Sequence, residues 1–105
     1  MTLGSAIDAL SHTIADRAGA DPGESYTAKL LAAGPLTCAK KFGEEAVELA
    51  LAAAAQDDAA VAAEAADVLY HLLVLLAARG VPPEAVAEAL RARQGLSGLE
   101  EKARR

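Results

Sequence analysis

A chain of 105 residues is long enough for one domain with a modest core, and small enough to gain from oligomerisation. Hydrophobic residues make up 53% and aromatic ones 3%, so the core is built from Ala, Leu and Val, and the composition predicts an all-α protein. The net charge of −5 excludes the basic face of a nucleic-acid binder, and the single cysteine, Cys38, excludes an internal disulfide and suits a reducing cytosol.

From the N-terminus, Met1–Ser5 has neither the basic start nor the sustained apolar core of a signal peptide. Thr2 or Ser5 is placed to cap a first helix that reaches about Ala18, with Leu3, Ile7, Leu10 and Ile14 at helical spacing. Gly19–Gly23, punctuated by Pro22, reads as a connection. Ser25 is the expected N-cap of a short helix through Lys29, Leu30 and Leu31, which Gly34 stops. Pro35 suits the first turn of the next helix, expected to run to about Ala55. Gln56-Asp57-Asp58 forms a turn, either aspartate being a good N-cap for a helix from about Ala59 to Ala78 that ends at Arg79-Gly80. Pro82 or Pro83 opens a further helix, with Val86 and Leu90 expected inward, ending near Gly95. The tail from Leu96 to Arg105 reads as a frayed helical turn or as disordered chain. The fold expected is a helical bundle of four to five helices.

The Ala59–Ala78 helix changes character along its length. From Val68 onward, Leu69, Leu72, Leu73, Val74, Leu75 and Leu76 cover every face, and a helix apolar all round is usually buried all round. A chain this small has little to cover it with, so a homodimer through this helix is expected; a central helix within one bundle is the alternative. The run Val68–Ala78 is interrupted by His71 and is too short to span a bilayer, which makes a soluble, cytoplasmic protein with no membrane partner the expectation.

The stretch that carries chemistry lies between Lys41 and Asp67. Glu44, Glu45 and Glu48 form one acidic group and Glu64 with Asp67 a second, each spaced three or four residues apart on one helical face. Lys40 and Lys41 precede Glu44 and Glu45 by four residues, the spacing of ordinary surface ion pairs. The second group has no such partner, since no Lys or Arg occurs between Lys41 and Arg79. Unpaired carboxylates beside apolar neighbours repel one another unless a cation resolves the conflict. Two readings stay open: a site for a hard cation, Mg²⁺ or Mn²⁺, held by oxygens alone, and a solvated acidic face. In the first, a few carboxylates leave positions for water and phosphate oxygens, and Lys41 and Lys29 are candidate phosphate clamps.

The segment Lys41-Phe42-Gly43-Glu44-Glu45-Ala46-Val47-Glu48, followed by Glu64-Ala65-Ala66-Asp67, resembles the paired acidic motifs of the all-α nucleoside triphosphate pyrophosphohydrolase superfamily. Within it, Ser25–Leu30 and Asp67–Leu76 resemble the phosphoribosyl-ATP pyrophosphatase family, over roughly residues 25–91. The resemblance implies a single all-α domain over 1–105, Mg²⁺ dependence, a helical-bundle dimer and a stand-alone form without a fused cyclohydrolase. It also implies hydrolysis of the α–β phosphoanhydride of phosphoribosyl-ATP to phosphoribosyl-AMP and pyrophosphate, the second step of histidine biosynthesis. Carried over by position, Glu45, Glu48, Glu64 and Asp67 would ligate the metal, and Glu44 would be an auxiliary ligand or orient the attacking water. Lys41, Lys29 and Ser25 would touch substrate. A house-cleaning pyrophosphatase of noncanonical nucleotides and a non-catalytic dimerisation module are the alternatives. His71 reads first as a hydrogen-bonded histidine at a helix interface, Tyr70 as a base-stacking or packing residue, and Cys38 as a small buried side chain; His12 has no assigned role.

Overall fold

The computed structural model describes residues 1–95 and 98–104, and among them there is no strand. The described residues form six helices in order: α1 (Leu3–Arg17), α2 (Tyr26–Ala33), α3 (Pro35–Ala55), α4 (Asp58–Ala78), α5 (Pro83–Arg93) and α6 (Gly98–Arg104).

The boundaries are set by side chains that satisfy the free amides of each first turn. Thr2 caps α1, and the choice between Thr2 and Ser5 dissolves because both take part: the Ser5 amide donates to Thr2 Oγ1 and the Thr2 amide donates to Ser5 Oγ, each at 3.0 Å. In the connection, the Asp21 side chain accepts the Gly23 amide at 2.9 Å, and the Asp21 carbonyl accepts the Ser25 amide at 3.1 Å. Ser25 then caps α2, its hydroxyl oxygen accepting the Ala28 amide. Gly34, at φ +96°, turns the chain sharply enough for Pro35 to begin α3 at once. Asp57 is the cap of α4, so the helix starts one residue earlier than the sequence suggests. Its far end closes at Gly80, φ +71°, where the Val81 amide donates back to the Leu76 carbonyl at 2.9 Å.

α3 and α4 pair along their length as an antiparallel hairpin. Ala52 is completely buried in α3, and a residue this small lets the two backbones approach closely. α1 and α2 pack across the hairpin, and the core collects where they meet α3 and α4, around Ile14, Leu30, Cys38, Leu73 and Val74. Cys38 lies inside this core, its thiol donating to the Leu30 carbonyl at 3.2 Å, and burial raises its pKa above the ordinary thiol value.

The expectation for α5 requires correction. Val86 is 37% exposed and Leu90 63%, so neither is inward in the single chain. After Pro82–Pro83 the helix stands off the bundle, and its apolar residues line an open groove of about 520 Å³ with Ile7 of α1 and Leu69, Leu72 and Leu76 of α4. Taken whole, α4 is long and apolar enough to cross a membrane, which the shorter run Val68–Ala78 is not; in this fold it is the central helix, packed on α1, α2 and α3. The tail forms a helix over Gly98–Arg104, while Leu96, Ser97 and Arg105 lie outside the described residues.

Candidate functional site

The α3–α4 hairpin brings the two acidic groups face to face. Glu45 and Glu48, one turn apart on α3, point toward Glu64 on α4, and one carboxylate oxygen from each lies within 4.8 Å of the other two. Glu45 and Glu64 are half-buried, whereas Glu48 is exposed. Glu64 Oε2 is buried with no hydrogen-bond partner, and an ionised oxygen in that condition is destabilising unless something positive reaches it.

Both half-buried acids feel the crowding. Glu45 has its pKa raised, first by desolvation and then by the hydrogen bond and like charge of Glu48; Asp67 adds to the rise, and His71 opposes it. Glu64 is raised too, first by desolvation, then by the charges of Glu48 and Asp67. Asp67 therefore stands close enough for its charge to be felt by both, although its oxygens are not part of the three-carboxylate cluster and its side chain is exposed.

Glu44 behaves differently from its neighbour. It faces outward and pairs with Lys41 at 3.6 Å, both side chains being close to half exposed. The ion pair runs between residues three apart, not the four expected for Lys41 and Glu45; both spacings put a glutamate on the lysine's side of the helix, and Glu45 is instead gathered with Glu48 and Glu64. The surface-pair reading thus fits Glu44, and the buried-conflict reading fits Glu45, Glu48 and Glu64. Lys29 is exposed on α2, and Ser25 is buried with its oxygen engaged as the cap.

Beside the acids lies a group of rings. His71, one turn beyond Asp67, is 7% exposed and directs Nδ1 to the Asp67 carbonyl at 2.9 Å, while its buried Nε2 has no partner. Its ring stands at 89° to Tyr70 and 74° to Tyr26, with centroids 5.0 and 6.4 Å away, and the two tyrosines lie nearly parallel, 6.5 Å apart. The hydroxyls of Thr27 and Tyr70 share a hydrogen bond of 2.5 Å. Tyr70 and His71 stand out in the sequence, whereas Tyr26 carries no assigned role there. Its signal was its place immediately after a helix cap, in a chain with only two tyrosines and no tryptophan.

Such an arrangement can hold a hard cation. The donors are all oxygens, three converge, and one of them is buried without a partner, so the set suits Mg²⁺ or Mn²⁺ better than zinc. Among the described residues no cysteine or histidine belongs to this cluster.

Comparison with known proteins places these features in a wider set. Residues 7–94 match the family model described as phosphoribosyl-ATP pyrophosphohydrolase, which extends back into α1, beyond the residues 25–91 that carry the resemblance in the sequence. A protein from Cereibacter sphaeroides named phosphoribosyl-ATP pyrophosphatase is 58% identical over 99 residues, covering 94% of this chain and 96% of its own length. One of the same name from Dinoroseobacter shibae is 59% identical over 96 residues, 91% of this chain and 94% of its own. Another, from Caulobacter vibrioides, is 59% identical over 96 residues, 91% of this chain and 89% of its own.

Proposed function

The chain belongs to the phosphoribosyl-ATP pyrophosphohydrolase family, and from that membership we propose that it hydrolyses the α–β phosphoanhydride of phosphoribosyl-ATP, giving phosphoribosyl-AMP and pyrophosphate within histidine biosynthesis. The observation that carries the site assignment is the convergence of Glu45, Glu48 and Glu64 around a buried carboxylate oxygen that lacks a partner.

Those three acids would hold Mg²⁺, with Mn²⁺ as a substitute and Asp67 completing the set from one turn along α4. A divalent cation there supplies neutralisation of polyphosphate charge and a bound water acidic enough to yield a nucleophile. The remaining work falls to the chain itself. Glu44, exposed on the outer edge of α3, would have to leave its pair with Lys41 to orient the attacking water or act as an auxiliary ligand. Lys41, which holds Glu44 in place, donates to a phosphate oxygen, as does Lys29 from α2. Ser25 fixes the start of α2, so its contact with substrate runs through whatever capacity its capping hydroxyl keeps. The half-burial of Glu45 and Glu64 would strengthen their own attraction to a cation relative to open water.

The same reading extends to assembly and location. A second copy covers the apolar groove of Leu69, Leu72, Leu76, Val86 and Leu90, making the protein a homodimer, and it works in the cytoplasm on a small-molecule nucleotide without nucleic acid or membrane as partner. The deciding experiment is pyrophosphate release from phosphoribosyl-ATP, with and without Mg²⁺, beside dUTP and dCTP. Metal-dependent turnover of phosphoribosyl-ATP alone is expected. Turnover of the controls instead would move the protein to nucleotide house-cleaning, and a folded sample that turns over nothing would overturn the enzyme reading.

A further inference from the structure

Tyr26 is 53% exposed at the first turn of α2, in a protein with only three aromatic side chains besides histidine. An exposed tyrosine alone needs no explanation, but this one is held. Its ring lies within 19° of parallel to Tyr70, and Tyr70 is fixed in turn by the hydrogen bond between its hydroxyl and Thr27. His71 stands edge-on to both rings. One face of an aromatic ring is thereby presented to solvent in a set orientation. The link to the acids runs through His71, 6.4 Å from Tyr26 between ring centroids and one helical turn along α4 from Asp67.

We propose that the exposed face of Tyr26 is the stacking platform for the purine base of the nucleotide substrate, a role that rests on the pyrophosphohydrolase reading. A base offers a flat π-face, and a ring already oriented by its neighbours gives up little freedom on receiving it. The Tyr70 and His71 rings behind Tyr26 keep it from turning edge-on. His71 supplies a second observation: its Nδ1 is directed to the Asp67 carbonyl while its buried Nε2 has no partner in the protein, and a nucleoside brings polar groups in its amino, ring-nitrogen and ribose hydroxyl atoms. The acids and the rings thus divide the substrate between them, phosphates at one end and base at the other.

Stacking of this kind binds ground state and transition state alike, so its loss raises KM and leaves kcat nearly unchanged. Tyr26→Ala and Tyr26→Leu are expected to raise KM for phosphoribosyl-ATP roughly 10- to 100-fold, the span of one base–aromatic stack, while Tyr26→Phe stays close to the parent. In a parallel titration with Mg²⁺ present, ATP should bind the parent more tightly than inorganic triphosphate, and that preference should vanish in the Ala and Leu variants only. An unchanged KM in Tyr26→Ala, or full rescue by Leu, would overturn the platform while leaving the reaction standing. A changed sedimentation coefficient in Tyr26→Ala would also overturn it, since the ring would then be a contact between copies. Absence of turnover in the parent is a separate outcome and defeats the pyrophosphohydrolase reading itself.

Discussion

The two halves of α4 pose opposite problems. Its first half sets Glu64 and Asp67 against Glu45 and Glu48 of α3, placing more negative charge in one spot than a half-buried surface tolerates. Its second half carries leucines on every face, and Leu69, Leu72 and Leu76 line an open groove between α1 and α5. One half gathers like charges and the other leaves apolar side chains open to a groove. The contrast teaches that one helix can present a polar problem and an apolar one a few turns apart.

The strongest blow to the acidic half is removal of one carboxylate. Glu45→Gln, Glu48→Gln or Glu64→Gln should each lower pyrophosphate release at least roughly 100-fold while circular dichroism stays that of the parent, the scale on which loss of one electrostatic catalytic contact is felt. Activity within a fewfold of the parent in all three would leave the cluster as surface decoration. On the packing side, Leu30→Ala empties a position in the core and should cost about 2–5 kcal/mol in a denaturant titration. Leu90→Glu strikes the uncovered half instead. Because Leu90 is exposed, the single chain should keep its stability to within about 0.5 kcal/mol, whereas self-association followed by sedimentation should weaken at least about tenfold.

A gentler test is pH. Glu45 and Glu64 hold their protons more tightly in the fold than in the open chain, so in the interval above 4.5, their ordinary value, the folded state binds more protons. Stability contributed by these groups is therefore greatest at low pH and is lost as pH rises. Without metal, the parent should lose stability relative to Glu64→Gln as pH climbs from 4.5 toward neutrality, and millimolar Mg²⁺ should erase the difference. The smallest effect is expected at the rim: Lys41→Gln breaks an exposed pair with Glu44 and should change stability by less than about 1 kcal/mol, yet raise KM if the lysine meets phosphate.

The helices were legible because their ends are written in short-range chemistry. Ser25, Gly34-Pro35, Asp57 and Gly80 all stand where caps and stops were expected, and the hydrophobic spacing of Leu3–Ile14 gave α1 without any motif. Glu45, Glu48 and Glu64 were legible too, since a three- or four-residue spacing fixes a face before any tertiary structure is known. What escaped was what depends on packing between elements. The inward placement of Val86 and Leu90 required a neighbour for α5 that local periodicity does not supply. Which glutamate Lys41 meets depends on Glu45 being drawn to Glu64 across the hairpin, since spacing alone allows either. Tyr26 became visible only once α2 was laid against α4, because its partners Tyr70 and His71 lie more than forty residues away.

The most direct test is the melting temperature of the parent and Glu64→Gln at neutral pH, with and without millimolar Mg²⁺. A ligand that binds only the folded state raises its stability, and a carboxylate that repels its neighbours lowers it. The parent should gain several degrees with Mg²⁺, while Glu64→Gln should melt no lower than the metal-free parent and gain nothing. Equal gains in both proteins, or a variant that melts well below the parent, would contradict the view that these acids are held together to await a cation.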